Sequence, residues 1–554
     1  MKLSRESIDQ KLTLLRGEAE ERDARRRAEK EDLSYLDLGG KPIDSSALEL
    51  IPRVLAEEAR AAAFVLKGKR LALALYSKEF PKTQRLIKSL EERGFKLDIF
   101  IVSLGGLSQA WSYYPKRVQP AESGASEARL DGHFLEEIKN KVKSTADLAA
   151  YLQEQGEKIS TTDILKIIFS GSLALEVSDI HLEHASKDKG LLRFRTDGIL
   201  RDIAHLPPGL ITSIVSRLKL LSKLKLNITD APQDGRFTIQ TDKAPIEART
   251  SIVPTEFGEA AVLRILNPQV IAMSFSDLGL REDDEKIVEK ELTRPNGMIL
   301  VTGPTGAGKT TTIYAFLKKI RTSAQKIITI EDPIEYHLEG VEQTQIDPKS
   351  GYTFAAGLRS VLRQDPDIIL VGEIRDLETA QTAIHAALTG HLVFSTLHTN
   401  NAAGAIPRLI DLGVKPSVIG PAITLIIAER LVRRLCSKCR KETAIDKTLE
   451  EKLEKFLSRL PKRVSRAKIK PKLFEAVGCR ECSEGYKGQV GLFEVLETGE
   501  ELGALIKKEA AEEEIMKAAR KAGMVGIQED GVIKALGGTT TLAEVERATG
   551  PVEW

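Results

Sequence analysis

A glycine-rich stretch at residues 303–312 carries the spacing of a phosphate-binding loop. Its sequence, GPTGAGKTTT, fits the pattern G-x-x-x-x-G-K-[ST] with Gly303, Gly308, Lys309 and Thr310. Glycines allow backbone N–H groups to turn toward phosphate oxygens, the lysine can reach the β- and γ-phosphates, and the threonine hydroxyl can bind Mg²⁺. We therefore predict a nucleotide site with these loop residues: Gly303, Thr305, Gly306, Ala307, Gly308, Lys309, Thr310 and Thr311.

The segments on either side of this loop are those that the motif requires. NGMILVTG, just before it, is an apolar run typical of a buried strand, and TTTIYAFLKKI, just after it, has the apolar spacing of a helix. Strand, loop and helix in this order place the positive end of the helix dipole at the phosphates. The alternative is a glycine-rich turn that matches the pattern by chance. Such a turn would not need a strand before it and a helix after it, so the context favours the nucleotide site.

Three further apolar runs predict strands of the same parallel sheet. They read KIITIEDP, DIILVGE and HLVFSTLHT, and helical stretches separate several of the runs. In open parallel sheets, ligands bind beyond the carboxyl ends of the strands. Those ends carry Glu331 and Asp332, then Glu373, then His398. We expect these side chains at the same edge of the sheet as the loop 303–310.

The residue types at this edge suit chemistry on a phosphate. One carboxylate near a γ-phosphate can polarise the attacking water, and another can hold Mg²⁺ directly or through water. A histidine there can hydrogen-bond the phosphate. We take Glu331, Glu373 and His398 as catalytic candidates. Helix capping or a surface ion pair is the alternative for the two glutamates, and turn formation is the alternative for Asp332, which precedes a proline.

The four cysteines of the chain form two C-x-x-C pairs, CSKC at 436–439 and CREC at 479–482. Two such pairs are typical of a tetrahedral structural zinc site, with a redox pair or a disulfide as the alternatives. The 39-residue spacer contains an amphipathic helical stretch, LEEKLEKFLSRL. We expect Zn²⁺ at the base of a protruding finger, with these ligands: Cys436, Cys439, Cys479 and Cys482.

Length and charge limit the class of protein. A chain of 554 residues suggests three or four domains. With 82 Lys and Arg against 80 Asp and Glu, the net charge of +2 gives no general attraction to nucleic acid. The sequence has no run of ~18 apolar residues, and MKLSRESIDQ lacks the apolar core of a signal peptide. We expect a cytoplasmic protein whose thiols stay reduced.

Composition divides the chain into five ranges. Residues 14–33 are mostly charged, with ion pairs four residues apart that support a helix, either as a solvated arm or as a partner-binding arm. Small and polar residues at 119–133 are typical of a linker. The predicted ranges are 1–40 for a charged arm, 41–120 for a small α+β domain, 121–157 for a linker, 158–275 for a second α+β domain, and 276–554 for the α/β domain with the phosphate loop.

Several of these motifs together resemble one family, the ATPases of type II secretion and type IV pilus assembly. IEDPIE is similar to the family's aspartate box, GEIRD to its Walker B region and TGHLVFSTLHT to its histidine box. The tetracysteine pairs and the tail GYKGQVGLFEVL also match, as do SDIHLE, PQDGRFTI and ARTSIVPTEFGEAAVLRIL upstream. The resemblance covers roughly residues 45–550.

The resemblance implies a fold, an assembly and further site residues. The fold would be a RecA-like parallel-sheet motor domain preceded by a PAS-like α+β middle domain and a small N-terminal α+β docking domain. A homohexamer would hydrolyse ATP with Mg²⁺ at the cytoplasmic face of a membrane and act on an integral-membrane platform protein that lifts pilin subunits. Arginines of the middle domain would complete the site; Arg249 and Arg264 match these, on the two strands of an apparent hairpin, and Arg217 and Arg236 match less well.

Three positions depart from the family pattern. Glu429 stands where the family usually has Gln, Gln489 stands where it usually has Arg, and Ala307 stands where Ser is common. The loop tolerates Ala307 because the backbone binds the phosphates. Pilus-retraction ATPases usually lack both the docking domain and the cysteine finger, so the chain resembles an extension or secretion motor.

Two other classes of function stay open at this point. One is a RecA-like nucleic-acid motor, although the near-zero net charge and the lack of an aromatic-basic stripe argue against it. The other is a ring that binds nucleotide without turnover, against which Glu331 and Glu373 argue. Pilus assembly, type II secretion and DNA-uptake pili all remain as pathways for a motor.

Overall fold

The computed structural model describes residues 5–39, 41, 43–114, 127–155, 159–266, 273–466, 469 and 471–554. The chain forms two compact units, Met1–Leu266 and Asn267–Trp554. The first unit contains a small N-terminal domain and a middle domain, and the second contains the phosphate loop. Among the described residues, the search for a helix with the length and apolar character of a membrane span found none.

The small N-terminal domain is a four-stranded sheet with strand order β1-β4-β3-β2, packed with helices. Apolar residues of its strands and helices form one buried core. Its elements are α1 Arg5–Lys30, β1 Ser34–Tyr35, α2 Ser45–Leu48, α3 Arg53–Glu58, β2 Ala61–Lys67, β3 Arg70–Leu75, α4 Pro81–Glu92, β4 Lys96–Ile101 and α5 Leu104–Ser112.

The charged arm is the long helix α1, and its last turns pack on the small domain. Ala24 and Ala28 are buried. The Arg27 guanidinium lies 3.6 Å from the ring centroid of Tyr76 and donates to the Tyr76 carbonyl. This end of the arm is therefore part of the domain and not a solvated extension, because its small apolar residues face the core.

The middle domain is built on a seven-stranded sheet with strand order β5-β9-β10-β11-β6-β7-β8. Phe169, Phe194 and Phe237 are central residues of its core. Its elements are β5 Glu127–Arg129, α6 Gly132–Lys141, α7 Thr145–Gln155, α8 Thr161–Ala174, β6 Asp179–Ser186, β7 Lys189–Thr196, β8 Ile199–Leu206, α9 Pro208–Leu221, β9 Gln233–Gln240, β10 Ile246–Thr255 and β11 Gly258–Leu266.

Most of the predicted linker 121–157 is folded. β5 pairs parallel with β9, and α6 and α7 follow it. Ile138 and Leu148 from these helices are fully buried in the middle-domain core. The prediction missed these elements because each contributes only a few apolar residues among many polar ones. Residues 121–126 and 156–157 lie outside the described residues.

The end of α9 and the segment that follows it join the small domain to the middle domain. Leu226, which follows α9, is buried in the core of the small domain. Next to it, Lys225 forms an ion pair with Asp44, and the Ile43 N–H donates to the Asn227 side-chain oxygen at 2.8 Å. Because residues of the middle domain complete the core of the small one, the two domains form a continuous body.

The second unit contains the α/β domain. Its elements are α10 Glu282–Leu292, β12 Gly297–Thr302, α11 Lys309–Ile320, β13 Ile327–Glu331, β14 Glu342–Gln345, α12 Phe354–Val361, β15 Ile368–Val371, α13 Leu377–Leu388, β16 Leu392–Leu397, α14 Ala405–Asp411, α15 Pro416–Ala422, β17 Ile423–Leu435, β18 Lys441–Thr443, α16 Lys447–Arg459, β19 Leu473–Glu475, β20 Tyr486–Glu497, α17 Glu500–Lys507, α18 Glu512–Lys521, α19 Ile527–Leu536 and α20 Leu542–Thr549.

The main sheet of this unit has seven strands in the order β14-β13-β15-β16-β12-β17-β20. The four predicted strands occupy its centre, and they pair parallel, so the predicted α/β fold is confirmed. Neighbouring residues of β12 enter opposite cores, Leu300 on one face and Ile299 on the other. That two-sided burial explains the unbroken apolar runs. The prediction did not include the antiparallel edge strand β20.

Candidate nucleotide site and metal centre

The glycine-rich loop connects the buried strand β12 to the start of α11, and two of its glycines cannot be replaced. At Gly303, φ is +154° and a Cβ would lie 2.6 Å from the Glu429 carbonyl oxygen. At Gly308, φ is +106° and a Cβ would lie 2.2 Å from Glu429 Oε1. Both positions combine a conformation that favours glycine with a close approach of β17. The loop therefore has the backbone shape that the phosphate motif needs.

Lys309 begins α11 and folds back over the loop. Its Nζ donates to the carbonyl oxygens of Gly303 at 2.8 Å and Pro304 at 3.1 Å. Burial lowers the pKa of Lys309, while the nearby carboxyl groups of Glu429 and Glu373 oppose that shift. The ammonium group is thus held by neutral carbonyls, which an anionic phosphate can replace as a stronger partner.

The ends of β15 and β16 bring Glu373 and His398 together. His398 Nε2 lies 3.5 Å from Glu373 Oε2, and Arg375 forms an ion pair with Glu373 Oε1 at 2.6 Å. The end of β12 is fastened to the same edge, because the Thr302 and Thr399 hydroxyl oxygens are 2.7 Å apart. Because β16 pairs with both β12 and β15, the carboxyl ends of these three strands lie side by side at the edge where the loop begins.

Glu331 ends β13 in a buried hydrogen-bond network, and the catalytic role predicted for it stays a prediction. The side chain is 4% exposed, and its carboxylate accepts hydrogen bonds from Tyr314 (2.5 Å), Thr329 (2.6 Å) and Gln343 (3.0 Å). These three donors fix the orientation of the carboxylate. Thr329 and Glu331 lie two residues apart on β13, so they share the face that packs on α11. Burial and the neighbouring Glu331 raise the pKa of Tyr314.

Two more charged residues beside the loop were not predicted as site residues. Arg430 Nη1 lies 3.4 Å from the position that a Cβ would take at Gly303, and its Nη2 donates to the Asn400 carbonyl at 2.9 Å. Glu429, beside it on β17, is 2% exposed. The sequence does contain a feature that could have identified them: these two charged residues interrupt the apolar strand run ITLIIAERLV.

In the middle domain, a row of charged residues crosses the sheet. Arg249 on β10 pairs directly with Arg264 on β11, and Arg236 on β9 pairs with Arg249. Residues paired in this way share one face of the sheet. Asp179 on β6 continues the row and accepts from Arg264 Nε at 3.0 Å. The hairpin that carries the two predicted arginines is therefore present, with a buried carboxylate orienting one of them.

The four cysteine sulfurs fit a zinc ion. The Sγ atoms of Cys436 and Cys479 are 3.9 Å apart, those of Cys439 and Cys482 are 3.6 Å apart, and all four lie within 4.8 Å of one another. A tetrahedron with Zn–S bonds of about 2.3 Å has S–S edges of about 3.8 Å. The four cysteines are free thiols, as a metal site requires.

We expect one zinc per chain in freshly purified, reduced protein. Changing Cys436 and Cys479 together to Ser should remove the metal and lower the thermal stability, because a structural zinc contributes directly to folding. Elemental analysis and a melting curve measure both effects. Arg480→Ala, on an exposed side chain between Cys479 and Cys482, is the matched control and should keep the metal. Reduced protein without zinc would contradict this prediction.

Comparison with known proteins places these features in a family. The family described as type II/IV secretion system protein matches residues 153–547. The chain is 41% identical over 416 residues to type II secretion system protein E of Pseudomonas aeruginosa, covering 75% of this chain and 80% of that protein. It is 36% identical over 533 residues to the type IV pilus assembly ATPase PilB of the same organism, covering 94% and 89%.

A solved structure resembles the fold as well. The ATPase DotB of Legionella pneumophila superposes with a TM-score of 0.50 at 21% sequence identity. The superposition covers 70% of this chain and 95% of that chain. At this identity the likeness concerns the fold alone.

Proposed function

Because this chain belongs to the type II/IV secretion system protein family, we propose that it is a motor that hydrolyses ATP to drive pilus assembly or type II secretion. One observation carries the proposal: the phosphate loop with Lys309 follows β12 at the same edge of the parallel sheet at which the ends of β15 and β16 bring Glu373 and His398 together. A lysine-bearing phosphate loop beside a carboxylate and a histidine is what hydrolysis of a γ-phosphate needs.

The loop holds the nucleotide. Backbone N–H groups of the loop and the positive end of α11 bind the phosphate oxygens, and Lys309 leaves its two carbonyl partners for the β- and γ-phosphates. The exposed Thr310 hydroxyl is positioned to hold Mg²⁺. When bound, Mg²⁺ neutralises charge on the phosphate oxygens.

Glu373 polarises the attacking water. Its Oε1 is held by Arg375 at 2.6 Å, while its Oε2 faces His398 at 3.5 Å. A water bound to this carboxylate would give up a proton to it as the water attacks the γ-phosphate. His398 then hydrogen-bonds the phosphate. Because His398 follows β16, the end of that strand can respond to whether the phosphate is bound.

The arginine pair and the assembly complete the motor. Arg249 and Arg264 supply positive charge to the γ-phosphate in the transition state. The functional form is a homohexamer at the cytoplasmic face of a membrane, and it acts on an integral-membrane platform protein that lifts pilin-like subunits. No nucleic acid takes part, in line with a net charge of +2.

Lys309→Ala tests the nucleotide site. The variant should lose at least about tenfold in ATP affinity, because one charge-assisted phosphate contact disappears. Titration calorimetry with a non-hydrolysable ATP analogue measures the loss. Lys318→Ala, an exposed lysine on the same helix, serves as the control and should bind as the wild-type chain does. Equal affinity of Lys309→Ala and the control would refute the assignment of the loop.

A further inference from the structure

A buried carboxyl group lies directly beneath the phosphate loop. Glu429 comes from β17, which pairs with the strand that leads into the loop. Its Oε1 lies 2.2 Å from the position that a Cβ would take at Gly308, and its carbonyl oxygen lies 2.6 Å from the corresponding position at Gly303. One residue therefore contacts both ends of the loop. Within the described part of the chain, its Oε2 has no hydrogen-bond partner.

The groups that face this carboxyl come from several elements. α11 contributes the Lys309 ammonium and the Thr312 hydroxyl, and α19 contributes the buried Lys534 ammonium. Lys534 is already engaged by the Gly491 carbonyl and Asp530 at 2.6 Å each. On β17 itself the next residue is Arg430, and on β20 the buried Glu494 pairs with the residue before Glu429. Lys309 is thus the charged partner that Glu429 shares with the nucleotide.

We propose that Glu429 is a positioning residue of the phosphate loop, supporting the turn at Gly308 as a neutral acid and drawing Lys309 away from the nucleotide as an anion. This inference rests on the proposed function. It follows from the position of Glu429 against Gly303 and Gly308, because an anion beneath the loop would attract the Lys309 ammonium group and repel the phosphates. The neutral form has no such effect.

The environment supports the neutral form near physiological pH. Burial raises the pKa of Glu429 to about 8, and the Thr312 hydroxyl and the two ammonium groups oppose that shift without cancelling it. The acid is therefore largely protonated at pH 7 and ionises as the pH rises past about 8. ATP affinity should fall over the same range.

The test is the pH dependence of nucleotide binding by the full chain. The dissociation constant for a non-hydrolysable ATP analogue is measured by calorimetry between about pH 7 and pH 9.5. For the wild-type chain we expect a loss of about tenfold in affinity across this range, the size of one charge-assisted contact. Glu429→Gln, which keeps the shape and cannot ionise, should show a nearly constant affinity. Glu429→Met repeats the test if the glutamine variant does not fold.

A matched control separates this role from burial in general. Glu494 is also a buried glutamate of the same sheet, and burial raises its pKa, but its carboxylate accepts from Ala402 N at 2.8 Å instead of facing the loop. Glu494→Gln should keep the wild-type pH dependence. If Glu429→Gln loses affinity as the wild-type chain does, Lys309 itself is titrating and the proposal is wrong. A wild-type chain that binds ATP equally at every pH would also overturn it, whereas failure to bind ATP at pH 7 would overturn the proposed function as well.

Discussion

Glu373→Gln should bind ATP and hydrolyse it at least about a hundredfold more slowly than the wild-type chain. The amide keeps the size of the side chain, so the loop and Lys309 remain able to hold the phosphates. It cannot take a proton from water, so the step that attacks the γ-phosphate loses its base. Glu373→Gln should therefore lose turnover and keep ATP binding, whereas Lys309→Ala should lose ATP binding itself.

Two measurements check this result. Calorimetry with ATP follows binding, and phosphate release follows turnover. Glu378→Gln is the matched control, because Glu378 is exposed and pairs with Arg359 on the neighbouring helix; its turnover should equal that of the wild-type chain. Wild-type turnover in Glu373→Gln would show that another group polarises the water.

Arg249→Ala and Arg264→Ala should each reduce turnover by about a thousandfold, the lower range for an arginine that stabilises phosphoryl transfer. Both variants should still bind ATP, because the phosphate loop lies in the other unit and is unchanged. The loss arises from charge that builds on the γ-phosphate oxygens in the transition state and is no longer neutralised.

The same arginines should couple nucleotide state to domain position. Small-angle scattering of the wild-type protein with a non-hydrolysable ATP analogue and with ADP should differ, and the difference should shrink in Arg249→Ala. Arg193→Ala, on the same sheet but bound to Asp202 at 2.9 Å, is the control for turnover and scattering. If Arg249→Ala keeps both wild-type turnover and wild-type scattering differences, the middle domain does not complete the site.

The sequence predicted those parts of the site that depend on local pattern. The spacing of the loop specifies its glycines, and the ends of apolar strands identify Glu373 and His398, because the carboxyl ends of parallel strands meet at one edge. Glu331 also ends a strand, but its direction depends on which face of β13 packs against Tyr314. That contact joins residues 17 positions apart, and the strand pattern alone does not specify it.

Features that depend on distant packing were harder to predict. Glu429 is buried beneath the loop only because β17 pairs with β12 across more than a hundred residues of chain, so the sequence marked it as a departure and not as a site residue. The segment 127–155 looked like part of a linker because its few apolar residues find their partners in α8 and β9. In both cases the missing information was the identity of the neighbouring element.

The segment that carries Lys225 and Leu226 has a mechanical consequence. Leu226 completes the core of the small domain and Lys225 pairs with Asp44, so the small domain is held to the middle one by its own core. A rotation of the arginine-bearing sheet would therefore move the small domain with it, as a lever fixed to the middle domain. A rotation of a few degrees at the sheet would displace the far surface of the small domain by a larger distance. A partner bound to that surface would be moved with it.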